Sequence, residues 1–163
     1  MLFFLILLFL ALSAFFSGSE IAFVSANKLN VEIKRNKGSR RGNILGQLFD
    51  NPSEFLGAML VGNNVALVVF TYLMTQLMEP FFLTIVQNEI VLLLINTLII
   101  TLIVLVFGEY LPKTLFRLYA NEVLYNLSYL LKIFKVILKL PTWLMIKLTN
   151  LMLRWFVKSP AEN

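Results

Sequence analysis

"FFSGSEIAF", residues 15–23, interrupts an N-terminal run of nearly unbroken Leu, Phe and Ile. The whole stretch from residue 1 to about residue 27 is long enough, as a helix, to cross ~30 Å of hydrocarbon, which takes ~20 apolar residues. Ser17, Gly18, Ser19 and Glu20 therefore arrive inside a membrane span. A polar group left unsatisfied in hydrocarbon costs on the order of several kcal/mol. These residues must face something other than lipid.

Working outward, composition agrees with a membrane protein. The 163-residue chain is 59% hydrophobic, against about 45–50% apolar usage in soluble domains, and its mean hydropathy is +0.82. Its length suits one domain. The net charge of +5 speaks to orientation and lipid headgroups before nucleic acid, and no nucleic-acid partner is expected. Cysteine and histidine are both absent. That removes disulfides, thiol chemistry and the commonest metal ligand, and it disfavours zinc sites, haem ligation and Ser-His catalysis. What remains is hard oxygen chemistry from Ser, Thr, Asn, Gln, Asp, Glu and backbone carbonyls.

Two further spans are expected, at about residues 52–77 and 90–111. Lys28, Lys34, Arg35, Lys37, Arg40 and Arg41 lie between the first and second spans, whereas residues 78–89 hold Glu79 and Glu89 and no Lys or Arg. The positive-inside rule puts residues 28–51 in the cytoplasm, the N-terminus outside and the C-terminus inside. The first span lacks a basic stretch before its apolar run and so reads as retained rather than as a cleaved signal. The expected fold is all-α: three transmembrane helices, N-out and C-in, followed by amphipathic juxtamembrane helices at about residues 119–140 and 142–158. In the first of these, Asn121, Tyr125, Ser128, Lys132, Lys135 and Lys139 share one face. In the second, beyond Pro141, Lys147, Asn150, Arg154 and Lys158 do. Lysine-striped helices lie at the interface with their ammonium groups toward anionic headgroups; a fourth span would carry three lysines at ~2.5–3.5 kcal/mol each near the bilayer centre.

Each span has one polar interruption: residues 17–20 in the first, Gly62, Asn63 and Asn64 in the second, Gly108, Glu109 and Pro112 in the third. At ~1.5 Å per residue, Ser17 lies ~24 Å, Asn63 ~21 Å and Glu109 ~28 Å from the outer end of its span. All three fall near one level, in the cytoplasmic half. Pro112 has no N–H for the carbonyl four residues back, which frees the oxygen of Gly108 beside the Glu109 carboxylate. Broken helices with free carbonyls near mid-membrane hold cations in transporters. Oxygen ligands without N or S suit Mg²⁺, Ca²⁺, Na⁺ or K⁺.

Plainer readings stand beside this one. Ser17, Ser19 and Asn64 are also the residues that glue helices together in membranes. Asn63 and Asn64 project ~100° apart, so one of them is expected to bond across a helix interface. Glu109 has the alternative of reaching the interface through Tyr110 and Lys113. Glu20 has that of pairing with Lys28 or Lys113.

The motifs "FFSGSEIAF", "VGNNVA" and "FGEYLPKT", in this order, resemble the transmembrane domain of the CorC/cyclin-M family of Mg²⁺ transporters, over about residues 1–158. The resemblance implies a homodimer in the plasma (inner) membrane that exports Mg²⁺, and it allows Na⁺ entry as the coupled flow. It assigns Ser17, Asn63 and Glu109 to the ion, with backbone oxygen near Gly108, Ser19 and Asn64 as further candidates and Pro112 as the kink. Relatives of this kind continue into nucleotide-binding CBS domains, about where residues 159–163 end this chain, so none is assigned here. The rival expectation is a non-transporting anchor or sensor for cytoplasmic domains. An enzyme is not expected, since Ser17 and Ser19 have no base beyond Lys28 or Lys113.

Overall fold

A computed structural model describes residues 1–86 and 88–156, with side chains described up to residue 153. The chain is helical throughout these residues: α1 Leu2–Ser25, α2 Lys28–Asn36, α3 Arg40–Asp50, α4 Pro52–Leu83, α5 Glu89–Ile103, a π-helical segment Val104–Tyr110, α6 Leu111–Leu118, α7 Ala120–Ile137 and α8 Lys139–Phe156. Three stretches are long and apolar enough to cross a bilayer, namely α1, α4 and the continuous rod Glu89–Leu118. The second and third helices run beyond the expected spans, to Leu83 against an expected end at about 77 and to Leu118 against one at about 111. α4 continues through Pro80 despite the hydrogen bond that proline cannot make, and the third helix continues past Pro112 as α6.

Residues 28–51 are more than a loop. Asn27 caps α2, its side chain accepting the Leu29 N–H at 2.9 Å, and Ser39 caps α3, each taking up a backbone donor that a helix start leaves free. Gly38, with φ of 72°, makes the reversal between them, a left-handed conformation that only glycine adopts at little cost. The resulting α2–α3 hairpin docks on α7: Ser39 Oγ and Tyr125 Oη are 2.9 Å apart, Lys34 Nζ sits 4.2 Å above the Tyr125 ring, and the Asn27 N–H donates to Asn121 Oδ1 at 3.0 Å. The polar stripe on α7 is thus largely an internal seam. Tyr125 and Asn121 hold the hairpin, Ser128 is fully buried, and Lys135 pairs with Glu54 of α4 at 3.1 Å. Only Lys132 and Lys139 of the stripe are exposed. The apolar face of Leu130, Ile133, Val136 and Ile137 is exposed too. Of the α8 stripe, the Arg154 side chain and Lys158 lie outside the described residues. The break before α8 comes at Leu138, and Pro141 sits in the first turn of that helix, where a missing N–H is harmless.

Two apolar clusters bracket the bundle. At the hairpin end, Phe16, Phe23, Leu45, Phe55, Met59 and Leu124 pack together, with Phe23 stacked on Phe49 at 4.1 Å. At the other end Ile6, Phe70, Met78 and Ile100 do the same. Between them, at the middle of α1 and α4, lies a polar layer.

Candidate cation site

α1 is the hub of the molecule, packing against α4, the π segment, α6 and α7. It brings Ser13 and Ser17 to nearly one face, because residues four apart stack on a helix. Both are fully buried. Ser13 Oγ donates to Asn63 Oδ1 of α4 at 2.8 Å. A Cβ placed on Gly108 would lie 3.3 Å from the same Ser13 oxygen, so the third span meets the first two at this point. The approach depends on missing side chains. A Cβ on Gly62 would lie 2.8 Å from the Phe16 ring, and one on Gly18 2.6 Å from the Phe116 ring.

The hydroxyl of Ser17 lies one turn from this junction, sealed from solvent and without a hydrogen-bond partner. An unpaired buried hydroxyl costs about 1–3 kcal/mol, so its retention asks for a ligand. Ser19 is equally buried and unpartnered but is rotated ~200° from Ser17 around α1, on a different side of the helix. Asn63 and Asn64 separate as their spacing requires: Asn63 faces Ser13, and Asn64 is exposed.

Glu109 is adjacent to the junction but turned from it. Its side chain is 35% exposed and its carboxylate lies 3.9 Å from Lys113 Nζ, one turn along the same helix. Glu20 makes no ion pair among the described residues. The backbone just before Pro112 is π-helical. The Leu111 N–H bonds to the Val106 carbonyl, five residues back. In that ladder the donor missing at Pro112 belongs to the Phe107 carbonyl, whereas in an α-helical ladder it would belong to Gly108. A π turn holds one residue more than an α turn, and such turns gather at functional sites.

The junction therefore joins two buried hydroxyls, a carboxamide oxygen and the π-segment backbone, with one carboxylate on the residue next to Gly108. These are hard neutral oxygens and a single charge, the donor set of an alkali or alkaline-earth cation. Among the described residues no three acidic side chains cluster. Sequence reasoning missed Ser13, although its spacing of four from Ser17 was the available signal. It also missed Asn96 of α5, buried with its Oδ1 unpartnered, a lone amide in an otherwise aliphatic run.

Three apolar helices long enough to span a bilayer, meeting at one buried polar layer, define a polytopic membrane domain. The chain matches the cyclin M transmembrane N-terminal domain over residues 4–163, and it belongs to that family. It is 29% identical over 143 residues to the UPF0053 inner membrane protein YfjD of Escherichia coli, covering 88% of this chain and 32% of that protein. A UPF0053 protein of Haemophilus influenzae is 28% identical over 144 residues, 88% of this chain and 33% of the relative. The chain thus spans about a third of the length of these relatives.

Proposed function

We propose that this domain moves Mg²⁺ across the inner membrane, outward, with the ion held where the three spans meet. The observation that carries the reading is the junction of Ser13, Asn63 and Gly108 with the unpartnered Ser17 hydroxyl beside it. The Ser13 proton occupies one lone pair of Asn63 Oδ1 and orients the amide, leaving the other for the cation. Ser17 offers its oxygen, and the π-segment backbone offers a carbonyl. Glu109 leaves Lys113 to supply the charge. Exchanging an exposed ion pair for a cation is easy, because such pairs contribute only about 0–1 kcal/mol. Mg²⁺ at ~2.1 Å from six oxygens would keep waters in the remaining positions. Na⁺ fits the same donor set as a coupled ion. Ser19 and Asn64 take supporting places at most.

The basic residues of the α2–α3 hairpin support placing that end in the cytoplasm, with Glu79 and Glu89 at the outer surface. A homodimer is the assembly we favour, since Thr71, Thr97 and Thr101 line a groove of about 310 Å³ around buried Asn96 between α4 and α5, a polar strip better covered by protein than by lipid.

The deciding experiment is the melting temperature of the detergent-purified protein against Mg²⁺, with salt-matched controls, alongside Ser17→Ala and Glu109→Gln. Binding to the folded state raises it; the expected rise is Mg²⁺-selective and lost in both variants, after which flux into liposomes is measured. A rise that survives both substitutions, or no rise, favours the anchor reading, in which Glu109 and Lys113 are simply a surface pair.

A further inference from the structure

The hairpin end of the bundle holds a second polar feature that transport does not use. Between α3, α4, α7 and α8 lies a pocket of about 460 Å³. Its rim carries Lys132, Lys135 and Lys139 against one carboxylate, Glu54. Glu54 is taken up by Lys135 at 3.1 Å, and among the described residues Lys132 and Lys139 have no acidic partner. Two helix starts open on the same space, α4 with Ser53 and Glu54 and α8 with Lys139 and Thr142. Helix N-termini add partial positive charge and favour anions. Thr142 lines the pocket, is 3% exposed, and its hydroxyl has no hydrogen-bond partner.

The surroundings are those of a membrane surface. Glu54 stands in the first turn of a spanning helix, ~13 Å along α4 from Asn63 and so clear of the cation site. Below the lysines the pocket turns apolar, and its edge exposes Val136 at 64% and Trp143 at 55%, with Leu140 alongside at 76%. Lys147 Nζ lies 4.8 Å over the Trp143 ring, the pairing of aromatic and cation that anchors proteins at headgroup level. A soluble anion would use the lysines but leave the apolar edge bare. A ligand with both a phosphate and acyl chains covers both.

We propose that this pocket binds the headgroup of an anionic phospholipid. Lys132, Lys139 and the Thr142 hydroxyl hold its phosphate, and its chains descend along Val136, Leu140 and Trp143. Basic pockets between membrane helices take such headgroups. The occupied pocket ties α8 and α7 to the start of α4 at the membrane surface.

The test is native mass spectrometry of the purified chain titrated with phosphatidylglycerol, phosphatidylcholine or inorganic phosphate. Phosphatidylglycerol is expected to bind as a discrete single adduct per chain, more tightly than phosphatidylcholine. Lys132→Gln with Lys139→Gln should weaken it about thirtyfold. Thr142→Val should weaken it about fivefold, with Thr142→Ser retaining binding. A control pair of equal charge loss on the hairpin, Lys37→Gln with Arg40→Gln, should leave it unchanged. Equal binding of the two lipids, equal loss in the control pair, or phosphate displacing the lipid completely at low concentration would each overturn the proposal. The circular dichroism of every variant checks folding; Lys132 and Lys139 are exposed, and Thr142→Ser separates the hydroxyl from the packing of the buried Thr142 side chain.

Discussion

The α1–α4 seam and the rod Glu89–Leu118 both carry family motifs, but they are held very differently. Along the seam Ser13, Ser17, Phe55, Met59 and Phe70 are sealed completely. Only 17% of the most apolar window of the rod is buried, against 33% and 39% for α1 and α4. Within the rod, Leu92, Asn96, Ile100, Gly108 and Pro112 alone are buried. In a bilayer no hydrophobic force drives helices together, so close packing itself is the glue. A pair of helices locked ring-against-glycine is a fixed frame. The rod is locked in the same way at its C-terminal end, Phe116 against Gly18 and Gly108 against Ser13, so its loosely packed part is α5, before the π turn.

The largest effect expected from this contrast is on stability. Phe55 is fully enclosed among Phe23, Leu45 and neighbouring core residues, and Phe55→Ala should destabilise by about 3–5 kcal/mol. Leu98 on the rod is 62% exposed, and Leu98→Ala should stay within about 0.5 kcal/mol. Detergent-unfolding midpoints of the two variants measure this directly. Comparable losses would mean that α5 is held as tightly as the seam, and the distinction between the two would fall.

The next effect separates the carboxylate from the frame. At Mg²⁺ a hundredfold above its dissociation constant, a bound ion should add about 2.7 kcal/mol. Glu109→Gln should abolish that increment while leaving ion-free stability within about 1 kcal/mol of the parent, since among the described residues the carboxylate's one ion pair is the exposed one with Lys113. Melting with and without Mg²⁺ reads both quantities. A large ion-free loss would make Glu109 a structural residue of the rod instead.

Ser13→Ala probes the frame side of the same site. It strands Asn63 Oδ1, buried and bonded only to that hydroxyl, and should reduce stability by about 1–3 kcal/mol. Mg²⁺ affinity should fall severalfold as the amide loses its orientation. Calorimetric titration of the variant is the check. Unchanged affinity would remove Ser13 from the site and leave Asn63 free to choose its own rotamer.

How far the sequence could be read follows from which interactions are local. The spans were legible because apolar runs and charged loops are local signals, and the three motifs because polar residues stand out against Leu and Ile. The α2–α3 hairpin was not, since its caps at Asn27 and Ser39 lie in a basic stretch that also reads as a loop. The stripe on α7 was visible as a pattern, but its partner was not: nothing local says that Tyr125 meets Ser39 rather than a headgroup. Pro112 advertised a missing donor, yet the π register just before it, with the Leu111 N–H on the Val106 carbonyl, has no local signal in the sequence. Ser13 escaped notice because one serine among Leu and Ala looks like helix glue until Asn63 arrives opposite it.

The smallest predicted effect is the sharpest test of assembly. Asn63 and Asn64 are neighbours of the same chemistry on opposite sides of the seam: one faces Ser13, the other is exposed along α4. Asn64→Ala should therefore change the stability of the single chain by less than about 0.5 kcal/mol and leave Mg²⁺ affinity untouched. An amide facing hydrocarbon has no favourable partner there, and its removal would even relieve a small penalty. If the variant instead loses stability in a way that depends on protein concentration, Asn64 is covered by a second copy, because linkage to association makes stability concentration-dependent. The exposed side of α4 would then be part of the tightly packed frame, extended across two chains.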